Sequence, residues 1–138
     1  MPTLICDLRA DPVALAAEYE PLHAAGESLA LFWPHAGLPA EPLPHFTPAD
    51  DPAALHRAWE NGQIAVVRRT AWLPLDEFDR CLVIADAIGE PGAAASTCAH
   101  ALLAAGAEEV ELLAPGDARE LAQSWRSGRR TGARVLRA

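Results

Sequence analysis

Lysine is absent from this sequence, so all eleven basic residues are arginine. Nineteen acidic residues outnumber them and give a formal net charge of −8. Contacts to nucleic-acid phosphates need clustered positive charge, so this acidic body argues against general nucleic-acid binding. Apolar runs of the roughly 20 residues that span a bilayer are also missing. The opening MPTLICDLRADP lacks a basic leader and a cleavage site, and we therefore expect a soluble cytoplasmic protein.

Cysteine is scarce, since Cys6, Cys81 and Cys98 are the full set and their spacings are unrelated. A disulfide framework needs pairs and a zinc site needs close spacing, so we expect reduced thiols without an assigned chemistry. Histidines such as His45 and His56 match no recurrent metal-ligand motif, and we expect no metal site. The sequence contains no G-x-S-x-G elbow, so a hydrolase triad is not indicated.

The pattern that is present is a regular alternation of strand-like and helix-like segments. The length of 138 residues and the 51% hydrophobic content are typical of one globular domain over residues 1–138. Strands are predicted at 3–8, 29–33, 64–67, 81–84, 110–113 and 133–136, and helices at 11–26, 52–61, 93–105 and 117–127. Such alternation predicts a three-layer, Rossmann-like α/β domain with a mostly parallel sheet of five to six strands.

Two segments differ from the rest in composition. Residues 34–52 hold six of the twelve prolines, which excludes helix interior and central strand and predicts an extended surface loop. Residues 119–138 contain six arginines and one acid, and form either a solvated last helix and strand or a surface that docks on an acidic partner, including a second copy. We regard a set of tryptophans and arginines as interface candidates. They are Trp72, Trp125, Arg126, Arg129 and Arg130.

Residues 80–118 hold the most informative pattern, a buried strand followed by Asp86, a glycine-containing loop and the start of a helix. Backbone N–H groups at a helix start are unpaired and favour an anion such as phosphate. Ligands of open α/β sheets also bind at the carboxyl ends of parallel strands. The same pattern occurs in any βαβ unit, so the spacing alone does not specify a ligand.

Over residues 70–118 the chain resembles type I phosphoribosyltransferases, especially the uracil phosphoribosyltransferase branch. The resemblance rests on the connector WLPLDEFDRCLVIAD, the alanine-rich helix, the G-A-E-E-V run and the turn at 114–117. It implies a phosphoribosyltransferase-like fold that binds phosphoribosyl pyrophosphate with Mg²⁺ and transfers the ribose to a nitrogenous base. The resemblance assigns ligand binding to Asp86, Gly89, Glu90, Gly92, Ala93, Ala94 and Ala95.

Several residues depart from the family pattern, all in the direction of weaker phosphate binding. Ala85 stands where many members have a first acid, and Glu90 replaces an expected threonine with a negative charge. At about 4 Å a like-charge contact costs about 4 kcal/mol at an effective dielectric of 20. Pro91 removes a backbone donor, and Ala93 and Ala94 offer no hydroxyl. These losses predict that the transferase chemistry is not performed.

Three functions follow as hypotheses. The leading one is a degenerate phosphoribosyltransferase-like domain that acts through protein–protein contact, as a homodimer or as part of an assembly. The second is a surviving enzyme that binds nucleotide or phosphoribosyl pyrophosphate, with Asp86 on the ribose and Mg²⁺ as cofactor. The third is an accessory module of a nucleic-acid-processing complex. Asp7 also suggests an aspartate-based phosphotransferase, although Arg9 stands where the usual second acid would be.

Overall fold

Seven strands form one sheet in a computed structural model that describes residues 2–8, 28–33, 45–85, 93–113 and 134–137. The strands are β1 (Pro2–Asp7), β2 (Ser28–Phe32), β3 (Phe46–Pro48), β4 (Ile64–Val67), β5 (Arg80–Ile84), β6 (Glu109–Leu113) and β7 (Arg134–Arg137). The same ranges contain helix α1 (Pro52–Glu60), a 3₁₀ turn at Leu75–Glu77 and helix α2 (Ala93–Ala104). Neither of these helices combines the length and the apolar character needed to cross a membrane.

The strand order across the sheet is β3-β4-β2-β1-β5-β6-β7. Every neighbouring pair is parallel except β6 and β7, which run antiparallel. From the central β1 the chain proceeds to β2 on one side, whereas the later β5 pairs with the other side of β1. The order of the sheet therefore reverses between β1 and β5, which confirms the predicted α/β class with a mostly parallel sheet.

The prediction of five to six strands is wrong by one edge strand, β3. It lies inside the proline-rich segment, which was expected to be loop throughout, and it pairs with β4 from Phe46 opposite Ile64 to Pro48 opposite Val66. Because β3 is at the edge of the sheet, Pro48 can lie in it without removing a donor from a central ladder. The first part of the proline-rich segment, residues 34–44, lies outside the described residues.

The ends of the two helices follow the sequence signals that predicted them. Asp51 caps α1 by accepting a hydrogen bond of 2.8 Å from the Ala54 N–H, and Pro52 occupies the first helical turn. After α1 the chain turns through Gly62, whose φ of +67° favours glycine. The helices predicted at 11–26 and 117–127 lie outside the described residues.

Alternating strand residues bury both faces of the sheet. Helices α1 and α2 pack over one of them, here called the first face, through the buried residues Leu55, Ala58, Ala95, Ala99 and Leu102. The strand residues on this face are Leu4, Cys6, Ala30, Ala65, Val67, Cys81, Val83, Val110 and Leu112. The second face is equally buried, and its strand residues are Ile5, Leu29, Leu31, Ile64, Val66, Leu82, Ile84 and Leu113. Strands buried on both sides are typical of parallel sheets.

Candidate functional site

The carboxyl ends of β1 and β5 meet at the point where the strand order reverses. The Leu8 N–H donates to the Ile84 carbonyl at 3.0 Å, and the Ala85 N–H donates to the Leu113 carbonyl at 2.9 Å. These bonds extend the ladder beyond the strands and hold the tips of β1, β5 and β6 side by side. In open α/β sheets a crevice at such a switch point is the general ligand site.

Asp7 is the acidic side chain that the described residues place at this edge. It ends β1 opposite Ile84, and only 1% of the residue is exposed. Charged side chains are rarely buried without a structural or chemical reason, so Asp7 is a candidate site residue. Sequence reasoning gave it low weight because it looked for a second acid at position 9. Its position directly after the apolar run of a predicted strand was the feature of the sequence that could have identified it as a site residue.

The start of α2 is lined by alanine. Ala93 and Ala94 are exposed, whereas Ala95 is buried and packs into the core of the first face. The predicted contribution of these residues to phosphate binding is therefore limited to their backbone N–H groups, since no alanine side chain can donate a hydrogen bond. The buried Ala95 methyl group contributes packing.

The other ligand residues assigned from the family resemblance stay predictions. Asp86, Gly89, Glu90 and Gly92 lie outside the described residues. The structure does support the setting expected for them, because β5 is a parallel strand between β1 and β6 and α2 begins at Ala93. A central parallel strand thus leads towards a helix start, as the sequence predicted.

At the opposite, amino edge of the sheet lies an acidic cavity of about 300 Å³. Four carboxylate side chains line it, those of Asp76, Asp79, Glu108 and Glu109. The cavity lies beside the starts of β5 and β6 and is therefore remote in the topology from the switch point. Within the described ranges, no group of three or more His, Cys, Asp and Glu residues is arranged to hold a metal ion.

The end of the arginine-rich segment joins the body of its own chain. Residues 134–137 form the predicted edge strand, β7, and the Arg137 Nη2 lies 4.0 Å from the Glu109 Oε1. Of the interface candidates, Trp72 is half-buried and packs against the core of the first face. The remaining candidates, Trp125, Arg126, Arg129 and Arg130, lie outside the described residues.

Comparisons of the chain with family models, with curated proteins and with solved structures return no match. The likeness to phosphoribosyltransferases therefore stays a prediction from residues 70–118.

Proposed function

We propose that the chain is a degenerate phosphoribosyltransferase-like domain that works through protein contact and does not perform ribosyl transfer. The observation that supports the loss of chemistry is the alanine lining at the switch point. Ala85 is the last described residue after β5, and Ala93 and Ala94 begin α2. None of them supplies the hydroxyl or cationic donor that a phosphate site uses alongside backbone N–H groups.

The electrostatics of the same edge support this proposal further. Asp7 brings a buried carboxylate to the tip of β1, and Glu90 adds an acid to the predicted phosphate loop. Transfer from phosphoribosyl pyrophosphate needs neutralisation of a leaving group that is itself highly negative. An acid in the predicted phosphate loop opposes that requirement.

The topology supports the ancestry. The reversal of strand order between β1 and β5 is the arrangement at which doubly wound folds bind nucleotides. We propose accordingly a three-layer domain in which helices cover both faces of the sheet. The buried second face is consistent with a helical cover, and the helix predicted at 11–26 is the segment that would supply it.

The distribution of charge supports protein contact. Arginines concentrate between 119 and 137, whereas four carboxylate side chains line the cavity at the amino edge. Opposite charge on two surfaces of one chain favours association of a second copy or of an oppositely charged partner. The contact between Arg137 and Glu109 shows that one such pairing already exists within the chain.

Calorimetry tests the loss of chemistry. We expect no heat with millimolar phosphoribosyl pyrophosphate and Mg²⁺, and none with nucleoside monophosphates. Heat that disappears in Asp86→Ala would support the alternative of a surviving nucleotide-binding enzyme, which the switch-point topology favours.

Light scattering after size exclusion tests the protein contact separately. We expect a dimer at low salt that dissociates at high salt, because salt screens exposed charge pairs. Arg129→Gln with Arg130→Gln should weaken the dimer, whereas Arg68→Gln with Arg69→Gln is the matched control at two adjacent exposed arginines. A monomer at both salt concentrations that captures no partner contradicts the proposal.

A further inference from the structure

The three cysteines, which are widely separated in sequence, lie on the same face of the sheet. Cys6 is on β1, Cys81 is on β5, and Cys98 is on α2, which packs over this face. In the register of β1 and β5, Cys81 is opposite Leu4 and Cys6 is opposite Val83, so the two strand thiols are diagonal neighbours. The topology thus places two thiols on the sheet face that α2 covers and the third on α2 itself.

Cys6 and Cys98 are near enough to affect each other's pKa. Cys98 packs against the buried cluster that contains Cys6, and a hydrogen bond donated by the Cys6 thiol contributes to the pKa values of both residues. Cys6 is fully buried, whereas Cys98 is half-buried and accessible from solvent. Cys81 is buried beside them, and no hydrogen bond with Cys98 contributes to its pKa.

The environment makes the three thiols chemically unequal. The hydrogen bond from Cys6 lowers the pKa of Cys98 against the opposing effect of burial. The same hydrogen bond, followed by burial and the nearby Cys98, Cys81 and Asp7, raises the pKa of Cys6 well above its ordinary value. Burial raises the pKa of Cys81 to about 11. Because the thiolate is the reactive form of cysteine, Cys98 is the reactive member of the set.

We propose that Cys98 and Cys6 are a redox pair in which Cys98 reacts with a peroxide and Cys6 then closes a disulfide between α2 and β1. Cysteines that undergo reversible oxidation are accessible and often lie next to a second, resolving thiol. To close the bond, the two sulfur atoms must approach to the S–S distance of about 2.05 Å.

The reaction balances with hydrogen peroxide as the only oxidant. The Cys98 thiolate attacks one peroxide oxygen, the O–O bond breaks, and Cys98 sulfenic acid forms with release of hydroxide, which takes up a proton to become water. The Cys6 sulfur then attacks the Cys98 sulfur. The S–S bond forms as the S–O bond breaks, and the Cys6 proton leaves with the departing hydroxide as a second water. Two thiols are oxidised by two electrons, and one peroxide is reduced to two waters.

Peptide mapping of the wild-type chain tests the proposal directly. The protein is treated with hydrogen peroxide, denatured and alkylated with iodoacetamide, and the expected result is loss of two of its three alkylation sites. Trypsin alone cannot identify the partners, because Arg80 and Arg119 enclose both Cys81 and Cys98 with no lysine or arginine between them. A second cleavage on the amino side of Asp86 separates those two cysteines, and the linked peptides should contain Cys6 and Cys98.

Two variants extend the test. Cys81→Ala is the matched control, a buried thiol on the same face, and should keep the link. Cys6→Ala should form no link and should accumulate sulfinic acid at Cys98. Circular dichroism establishes that each variant is folded, and the mapping of the wild-type chain does not depend on either of them.

Three outcomes would overturn the proposal. They are a wild-type chain that keeps all three alkylation sites after peroxide, a link that contains Cys81, and a Cys98 that is overoxidised in the wild type as fast as in Cys6→Ala. The first outcome means that no disulfide forms, and the second assigns it to other sulfur atoms. The third shows that Cys6 does not intercept the sulfenic acid.

Discussion

At the scale of single residues, Arg80 and Glu111 form a shielded ion pair on β5 and β6. The Arg80 Nη2 lies 2.7 Å from the Glu111 Oε2, and the Glu111 side chain is only 8% exposed. By contrast, His56 and Glu77 also approach to 2.8 Å, but both of their side chains are more than 40% exposed. Exposed pairs contribute little to stability, whereas a buried charge that loses its partner is costly.

We therefore expect Arg80→Met to lower the free energy of unfolding by about 2–3 kcal/mol, because it leaves the Glu111 carboxylate buried without its cation. The double variant Arg80→Met with Glu111→Met should lose less than the single one. Glu77→Gln, at the exposed pair, should cost less than about 0.5 kcal/mol. Urea titrations measure all three, and equal costs for Arg80→Met and Glu77→Gln would contradict the assignment.

The pKa of Cys98 gives a second expectation at this scale. Because the hydrogen bond from Cys6 stabilises the Cys98 thiolate, its pKa is lowered, and alkylation by iodoacetamide should begin at lower pH than for an ordinary thiol. Cys6→Ala removes the donor, so the midpoint of the pH–rate curve should move upward. Cys81→Ala should leave that midpoint in place, and a curve for Cys6→Ala that matches the wild type would disprove the effect.

At the scale of secondary structure, the cap of α1 is a local device whose effect can be isolated. Asp51→Ala removes the acceptor for the Ala54 N–H and should cost about 1 kcal/mol of stability. Asp51→Asn keeps an acceptor oxygen and should cost much less. Urea denaturation followed by circular dichroism compares the two, and an equal loss in both variants would show that the hydrogen bond is not the source of the effect.

Local signals predicted most elements of the fold. β4 was predicted with the bounds that the structure gives it, because an apolar run marks it. α2 was predicted to within one residue, because the glycine that follows it indicates the end of the helix. β3 was missed since its three residues, Phe46 to Pro48, have no strand pattern of their own. They form a strand because they pair with the free edge of β4. This pairing depends on the tertiary fold, so the local sequence could not predict it.

The site was less predictable than the elements for the same physical reason. The acid at Asp7 and the glycine-containing loop after β5 are visible in the sequence, but the side-by-side position of β1 and β5 follows from strand order. The proximity of Cys6 and Cys98 depends in addition on how α2 lies over the sheet. The cysteine spacing predicted reduced thiols, and all three are free in the structure, but the spacing could not show that they lie on one face of the sheet.

At the scale of the whole molecule, oxidation of this pair would close a covalent ring that runs from β1 to α2. Loops of about 100 residues lower the entropy of the unfolded chain enough to stabilise the folded state by up to about 4–5 kcal/mol. We expect the peroxide-treated protein to unfold at higher urea concentration than the reduced protein, and dithiothreitol to reverse the shift. Cys98→Ser should show no shift with peroxide. A fully linked protein with an unchanged or lower midpoint would contradict this expectation.

The position of β1 also governs how the chain acquires its structure during synthesis. Of the described strands, β1 is synthesised first and becomes the middle of the sheet, yet its neighbour on one side, β5, starts only at Arg80. Until β5 has been synthesised, the N–H and C=O groups along this edge of β1 have no native partner strand. Such high contact order slows folding, and an unpaired strand edge can pair with another chain. The chain is therefore most prone to aggregate during synthesis, before β5 pairs with β1.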